Sequence, residues 1–318
     1  MSGDERIFAA CAPGLEELLA AELGALGLAA RPVPGGAEAT GRDAVALACL
    51  AARVADAVAR RLFEGPARGV EGALAVARRI HGPAAPLAVR REGGRATLSL
   101  DAAGSALYKR GWRARTGAAP LRETLAAGML LAAGYDGSEP FLDPMCGSGT
   151  LALEAAALAA RRAPGRARTF AFERWPGHDA AATAALRAGL AARERPAPAP
   201  IHASDRNAGA VRLAQKNADD GGLGRWIRFE RREAASTVLP PGRGLIGVNP
   251  PYGVRLEEDV SASWRALAEL LERARTAGWR AVVLAPDRGL ERLLPGVPSR
   301  TLRVRNGGLA CLLLLYGS

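Results

Sequence analysis

The segment GLIGVNPPYG holds the most chemically specific residues of the chain, because an amide, two prolines and a tyrosine directly follow the apolar run Leu245 to Val248. An amino group on a base ring has a delocalised lone pair, and it becomes nucleophilic only when acceptors hold its N–H bonds. We predict that the Asn249 side-chain oxygen and the Pro250 carbonyl are these acceptors. Prolines fix φ and so preset the direction of that carbonyl. Tyr252 is then placed to stack on a flipped base. The alternative is a simple Asn-Pro-Pro turn that ends a strand.

A glycine-rich turn, FLDPMCGSGT, lies upstream of that segment. Glycines let a backbone approach a ligand closely, and the start of the following helix offers free N–H donors. The pattern also satisfies the looser dinucleotide fingerprint G-x-G-x-x-A. However, a carboxylate before the turn would repel a pyrophosphate, whereas it suits a cationic sulfonium ligand with a free amino group. We therefore predict that such a ligand is bound by Asp143, Cys146, Gly147, Gly149 and Thr150.

Two further acids follow later apolar runs. Asp205 comes directly after Ile201 to Ser204 and is predicted to bind a ribose, with capping of the next helix as the alternative. Glu233 is predicted to accept an adenine amino hydrogen, although an exposed acid among arginines fits the same pattern. Asn249 is expected to contact the cofactor as well as the acceptor.

The cysteines argue against two other chemistries. Cys146 has no basic partner nearby in the sequence, so a nucleophilic cysteine is not expected. The four cysteines are widely spaced and the chain has three histidines, so we predict no metal site.

The charge of the chain favours a polyanionic partner. Its formal net charge is +11 and its isoelectric point is about 10.6, and cationic side chains gain affinity by neutralising phosphates. A basic stretch that also contains Tyr108 and Trp112 is the predicted nucleic-acid contact, formed by Lys109, Arg110, Arg113 and Arg115. A solvated linker whose aromatic residues plug a domain interface is an equal alternative.

No apolar run approaches the roughly 18 residues that a membrane span requires, and the first residues lack a signal-peptide pattern. A soluble, cytoplasmic protein without a membrane partner is therefore expected.

The second half of the sequence alternates short apolar strands with helices, which is typical of a parallel, doubly wound sheet. The predicted strands are Phe141 to Asp143, Thr169 to Phe172, Ile201 to Ser204, Trp226 to Glu230, Leu245 to Val248 and Ala281 to Leu284. Two closing strands around Asn306 and Gly307 predict an antiparallel hairpin at the edge of this sheet.

The first half predicts a small α+β unit. Amphipathic spacing indicates helices over Pro13 to Leu28, Asp43 to Leu62 and Val70 to Ile80, and the stretch around Gly93 and Gly94 predicts a hairpin. The predicted fold class is α/β, with a Rossmann-like doubly wound sheet after a small α+β domain. The predicted bounds are 1–104 for the first domain, 105–118 for a basic linker and 119–318 for the second domain.

The chain resembles the bacterial THUMP-domain guanine-N2 methyltransferases of 23S rRNA and their tRNA-modifying relatives. The motifs that carry the resemblance are GLEELLAAEL, LYKRGWR, APLRETLAAGMLL, FLDPMCGSGTLALEAA, FAFERWPGHD, SDRNAGAVRLAQKNA, NPPYGVRL and RNGGLAC. NPPYG followed by Arg255 and Leu256 is more selective than NPPY alone, which adenine-N6, cytosine-N4 and glutamine-N5 methyltransferases share.

This resemblance implies S-adenosylmethionine as cofactor and structured RNA, rRNA or tRNA, as substrate, with a ribosome-assembly intermediate as one form of that substrate. It implies that Asp143, Gly147 and Gly149 face the methionine part, that Asp205 faces the ribose, and that Asn249 to Tyr252 face guanine. The sequence departs from the family in two places. Glu233 stands where the family usually has Asp, and the short connection between Ile80 and Leu87 predicts an abridged THUMP region.

The residues alone leave two other functions open. The same cofactor site could serve an adenine N6 in DNA or RNA, or a protein glutamine. A ribosome-assembly or RNA-binding factor that retains the fold without turnover is the alternative from a different class.

Overall fold

The computed structural model of the chain describes residues 3–112, 121–252, 257–287 and 289–317. Its contacts divide the chain into two compact units, Met1–Arg110 with Ala163–Arg193, and Gly111–Arg162 with Glu194–Ser318. This division differs from the predicted domains at two places: the first unit extends to Arg110 instead of ending at residue 104, and it takes in a later stretch of the chain. The stretch 163–193 interrupts the second unit along the chain, yet it packs within the first.

The elements alternate along the chain as follows. The strands are β1 Glu5–Ala10, β2 Ala29–Val33, β3 Gly36–Gly41, β4 Ala57–Pro66, β5 Leu87–Glu92, β6 Arg95–Asp101, β7 Phe141–Asp143, β8 Ile201–Asp205, β9 Ile227–Arg231, β10 Leu245–Val248, β11 Arg280–Pro286, β12 Arg300–Asn306 and β13 Leu309–Tyr316. The α-helices are α1 Glu16–Ala25, α2 Ala44–Ala51, α3 Val70–His81, α4 Glu123–Ala132, α5 Thr150–Ala159, α6 Ala180–Ala192, α7 Ala208–Asp220 and α8 Glu257–Thr276.

The first unit is built on a six-stranded sheet with the order β2-β3-β1-β4-β6-β5, in which every pair is antiparallel. It confirms the predicted small α+β unit, including α3 and the β5–β6 hairpin. Helix α1 places Leu19 and Leu23 in the core with no exposed surface. This leucine stripe is the amphipathic spacing that predicts the helix.

The prediction of one helix over Asp43 to Leu62 is wrong. Helix α2 ends at Ala51, and β4 begins at Ala57. Alanine favours a helix locally, but β4 pairs with β1 on one side and β6 on the other, and Val58 is fully buried. Backbone pairing on both edges overrides the weak helical preference of this segment.

The second unit is built on a seven-stranded sheet with the order β12-β13-β11-β10-β7-β8-β9. The five strands β7 to β11 pair in parallel, while β13 pairs antiparallel with β11 and with β12. The doubly wound sheet and its antiparallel hairpin are thus confirmed. The chain order reverses between neighbouring β7 and β10, and ligands of such sheets bind outside the carboxyl ends of strands at this switch point.

The predicted strand Thr169 to Phe172 is also wrong. A short 3-10 helix, Ala171–Arg174, takes its place and belongs to the first unit. The Phe170 amide donates to the Glu173 carboxylate at 3.0 Å, which closes the turn. The rings of Phe170 and Phe172 stack with centroids 5.8 Å apart, so the apolar residues pack against each other instead of joining a sheet.

The core beneath the switch point is close packed. All four residues of β10 are buried, and a Cβ on Gly247 would lie 2.7 Å from the Phe141 ring of the neighbouring strand. Trp264 of α8 and Trp279 before β11 are 0% and 2% exposed and pack in one cluster with Ile246 and Val248 of β10. These contacts fix where β7 and β10 end.

Among the described residues, no helix is both long and apolar enough to cross a membrane.

Candidate active site

A cavity of about 1350 Å³ opens at the switch point of the second unit. The ends of β7, β8 and β10 deliver its polar residues, because parallel strands end at the same edge of the sheet. The structure brings together residues that are far apart in sequence: the lining includes Asp143, Gly147, Asp205, Glu233, Asn249 and Tyr252. Cys146 and Thr150 also line it, and Gly149 lies in the loop between them.

The glycine loop between β7 and α5 takes a conformation that favours glycine. Gly147 has φ +53° and Gly149 has φ +87°, a region that side chains with a Cβ rarely adopt. The buried Asn217 of α7 donates from Nδ2 to the Ser148 carbonyl at 3.0 Å and so holds the loop. A Cβ atom added to Gly147 would meet no other atom within 4 Å. The space beside this residue is therefore open to a ligand.

The close packing at Gly149 leads to a prediction. A Cβ there would lie 2.8 Å from the Leu153 Cδ1 atom and 3.0 Å from the Ala214 Cβ atom. We expect Gly149→Ala to lower the free energy of unfolding by about 2–4 kcal/mol, from backbone strain plus overpacking. Urea unfolding measures this loss of unfolding free energy. Gly242 has φ +90° but open space around it, so Gly242→Ala should cost only about 1 kcal/mol. Equal losses in the two variants would contradict the packing argument.

Asp205, at the end of β8, bonds to the glycine loop that follows β7. One carboxylate oxygen accepts from the Gly147 amide at 3.0 Å, and the other accepts from the Asn207 amide at 2.9 Å. The alternative in which Asp205 caps the next helix is wrong, since Asn207 caps α7 by accepting from the amides of Gly209 and Ala210. Asp205 therefore faces the cavity and braces the glycine loop. A carboxylate has further lone pairs, which can accept from hydroxyl groups of a ligand.

Asp143 is 3% exposed at the end of β7. Burial raises the pKa of Asp143 to about 8, and the charge of Asp205 adds to this rise, while the Met145 amide opposes it. A cationic ligand would favour the ionised form instead. Cys146 is buried beside it, and burial followed by the charges of Asp143 and Asp205 raises the pKa of its thiol. That thiol is poorly suited to act as a nucleophile.

The loop after β10 presents an amide oxygen without a partner. The Asn249 Oδ1 atom is buried and accepts no hydrogen bond from any residue that the structure describes. An unpaired buried acceptor costs free energy unless a ligand satisfies it. From α8, the Trp264 indole donates to the Pro251 carbonyl at 3.1 Å and anchors the loop. The site thus offers an acceptor that no described residue engages, on a backbone anchored by Trp264.

Sequence reasoning missed two parts of this cavity. One is the face of α8 with Val260 and Ser261, and the other is Asn306 at the end of β12. The Asn306 Nδ2 atom donates to the Tyr252 hydroxyl at 2.7 Å. The motif RNGGLAC contains this asparagine, but its sequence pattern indicates only a hairpin turn.

The residues predicted to contact nucleic acid differ in their exposure to solvent. Arg110 is 2% exposed, and its guanidinium donates to the carbonyls of Arg53 and Leu107. Its prediction as a phosphate contact is therefore wrong, because its donors serve the backbone of the first unit. Trp112 is buried and cannot stack a base in this conformation, whereas Lys109 is exposed. Arg113 and Arg115 lie outside the described residues.

The acceptor groups that line the cavity fit a ligand with an ammonium or sulfonium charge, a ribose and a purine. Asp143 and Asp205 are anionic or polar acceptors beside an open glycine backbone, and Glu233 is exposed at the cavity wall next to buried Ala234. Such acceptors match cationic and hydroxyl groups, and they disfavour a pyrophosphate. Within the described ranges, no cluster of three His, Cys, Asp or Glu residues could hold a metal ion.

Two curated relatives match about 70% of the chain. A candidate RNA methyltransferase from Synechocystis, slr0064, is 36% identical over 223 residues, which cover 69% of this chain and 58% of that protein. The ribosomal RNA large subunit methyltransferase K/L of Psychromonas ingrahamii is 39% identical over 232 residues, which cover 70% of this chain and 31% of that protein. The aligned region thus spans less than two thirds of either relative.

Solved structures share the fold over the whole chain. A candidate methyltransferase complexed with SAH has a TM-score of 0.86 at 24% identity, covering 100% of this chain and 99% of its own. A structure from Listeria monocytogenes, named as a predicted N6-adenine-specific DNA methylase, has a TM-score of 0.85 at 25% identity, covering 99% and 96%.

Family models match both halves of the chain. Residues 6–59 match the model described as RlmL ferredoxin-like domain. Residues 110–314, well over half of the chain, match the model described as UPF0020: RMKL-like, methyltransferase domain. These matches agree with the resemblance to THUMP-type enzymes that the motifs indicate. The chain belongs to the UPF0020, RMKL-like methyltransferase family.

Proposed function

We propose that this chain transfers a methyl group from S-adenosylmethionine to an exocyclic amino group of a nucleic-acid base, guanine N2 of rRNA or tRNA. The observation that carries the proposal is the buried Asn249 Oδ1 atom, which accepts no hydrogen bond from the described residues and lies in the same cavity as Asp143 and Asp205. An acceptor without a donor is what an incoming amino group requires. Membership of the methyltransferase family supports the reaction type.

The residues at the glycine loop are assigned to the cofactor, which supplies the methyl group. Asp143 pairs with the charged methionine end, and the open backbone at Gly147 allows its close approach. Asp205 accepts from the ribose hydroxyls, and Glu233 from the adenine amino group. Cys146, Gly149 and Thr150 complete the loop that shapes this half of the cavity.

The residues after β10 are assigned to the acceptor. Asn249 Oδ1 and the Pro250 carbonyl accept the two amino hydrogens, which orients the nitrogen lone pair toward the methyl group. Tyr252 stacks against the base plane. Neither a covalent protein intermediate nor a metal enters this scheme, because positioning and fixed dipoles supply the catalysis. The raised pKa of Cys146 supports the absence of a thiol nucleophile.

The choice of guanine in RNA rests on the longer motifs and on the names of the two curated relatives, both of which refer to RNA methylation. The formal charge of +11 supports a polyanionic substrate. We assign exposed Lys109, with Arg113 and Arg115, to phosphate contacts, and we place the protein with its RNA in the cytoplasm. Adenine N6 in DNA is the second candidate, because the Listeria structure carries that name.

Methyl transfer to defined acceptors tests the proposal. Purified protein is incubated with tritiated S-adenosylmethionine and with unmodified rRNA, unmodified tRNA or double-stranded DNA, and digested nucleosides are identified by mass spectrometry. We expect label in N2-methylguanosine from one of the RNA samples. Label in N6-methyladenine of DNA would instead establish the second candidate. Cofactor binding in calorimetry without transfer to any acceptor would favour a non-catalytic RNA-binding factor.

A further inference from the structure

The turn between β12 and β13 forms part of the cavity wall. Asn306, Gly307 and Leu309 line the same cavity as the loop after β10. The Asn306 Nδ2 atom donates to the Tyr252 hydroxyl at 2.7 Å, across 54 positions of sequence. The antiparallel hairpin is therefore more than an edge of the sheet, since it reaches the residue assigned to base stacking.

Asn306 is not required by the geometry of the turn. It is the last residue of β12 and pairs with Leu309, so the two turn residues are Gly307 and Gly308. Gly307 has φ +60°, whereas Asn306 does not have a positive φ. An asparagine is favoured in turns mainly where φ is positive. The hydrogen bond to Tyr252 is thus the structural use of this side chain.

The hydrogen bond from Asn306 reaches a Tyr252 hydroxyl that is largely buried. Burial raises the pKa of Tyr252, and the hydrogen bond from Asn306 opposes that rise. The hydroxyl is therefore neutral near pH 7. Its oxygen accepts from Asn306, which restricts rotation of the ring. The preceding backbone is anchored separately by the bond from Trp264 to the Pro251 carbonyl.

We infer that Asn306 is a positioning residue of the acceptor site: it holds the Tyr252 ring in the plane that receives a flipped, planar base. This inference rests on the proposed function. A stacked base requires a ring fixed in orientation, because small errors in placing the acceptor nitrogen weaken catalysis strongly. Asn306 acts through Tyr252 and does not itself touch the reacting atoms.

A double-mutant cycle tests whether Asn306 acts through the Tyr252 hydroxyl. We expect Asn306→Ala and Tyr252→Phe each to lower kcat for methyl transfer by about tenfold. The double variant should lose no more than either single variant, because both remove the same bond. Affinity for S-adenosylhomocysteine should stay within about twofold of wild type.

Arg305→Ala is the matched control. The Arg305 guanidinium donates to the Gly308 carbonyl in the same hairpin and does not line the cavity, so kcat should persist.

A second readout does not depend on activity. The chain has four tyrosines, and the ring-carbon resonance of labelled Tyr252 is assigned by its loss in Tyr252→Phe. We expect this resonance to shift in Asn306→Ala and to stay in place in Arg305→Ala. Three results would overturn this inference and leave the proposed function intact. They are an Asn306→Ala variant as active as an active wild type, additive losses in the double-mutant cycle, and a Tyr252 resonance that does not shift in Asn306→Ala. A shifted resonance in a protein that methylates no acceptor would reject the proposed function, and the positioning role with it.

Discussion

Replacing Asn249 by alanine is expected to lower kcat for methyl transfer about a thousandfold, as loss of a fixed group that polarises the reacting centre does in other enzymes. The variant loses the buried Oδ1 acceptor, which has no partner among the described residues. The amino group then keeps its delocalised lone pair. Because Asp143 and Asp205 remain, affinity for S-adenosylhomocysteine should change by no more than about fivefold. Single-turnover transfer and calorimetry measure the two quantities.

Asn249→Asp is the matched control for this prediction. Aspartate retains acceptor oxygens of the same reach but lacks the amide N–H donors. We expect a loss of about tenfold, well short of that in Asn249→Ala. Folding of both variants is checked by urea unfolding, since the loop is also anchored by Trp264. An alanine variant that transfers methyl groups at the wild-type rate would remove Asn249 from the acceptor site.

Local signals predicted the centre of the second unit well. The strand Phe141–Asp143 and the strand Leu245–Val248 have the predicted bounds. Both are short, fully apolar except for Asp143, and bounded by turn residues, so tertiary context has little to alter. Their neighbour relation in the sheet follows from the doubly wound order. This is why residues as distant as Asp143 and Asn249 could be assigned to one site from the sequence.

The failures occurred where partners far away in sequence decide the outcome. Ala57–Pro66 forms a strand because β1 and β6 pair with it, and its own residues do not show this preference by themselves. Phe170 and Phe172 pack in the first unit, so an apolar run between two strands of the other unit does not join the sheet. Neither event leaves a periodic signal in the sequence.

Arg110 and Asn306 illustrate the same limit for side chains. A basic stretch suggests solvent-facing charge, but Arg110 is buried because two backbone carbonyls require its donors. An Asn-Gly pair suggests a turn, but the glycines alone form the turn and Asn306 reaches Tyr252. In both cases one partner, the Arg53 carbonyl or the Tyr252 hydroxyl, lies more than 50 residues away, and sequence spacing does not identify it.

The ionisation of Asp143 is expected to make cofactor binding depend on pH. Burial raises the pKa of Asp143 to about 8 in the free protein. A cationic amino group pairs with the carboxylate form, so a proton leaves Asp143 on binding when the pH is below that value. Affinity for S-adenosylhomocysteine should therefore rise by up to about 50-fold from pH 6 to pH 8 and level off above it. Calorimetry in buffers of different ionisation enthalpy measures both the affinity and the proton release. In Asp143→Asn the profile should be flat over this range.

The same pKa governs stability of the free protein in the opposite sense. The folded pKa lies above the ordinary value of 3.8, so the folded state binds the proton more tightly than the unfolded state does. The unfavourable contribution of the buried carboxylate is absent below the unfolded pKa, grows as pH rises, and is complete above pH 8. Asp143→Asn should therefore gain stability relative to wild type as pH rises from 4 to 8, as measured by urea unfolding without ligand. A stability difference that is constant over this range, together with a cofactor affinity that ignores pH, would show that Asp143 is ionised throughout and that no proton accompanies binding.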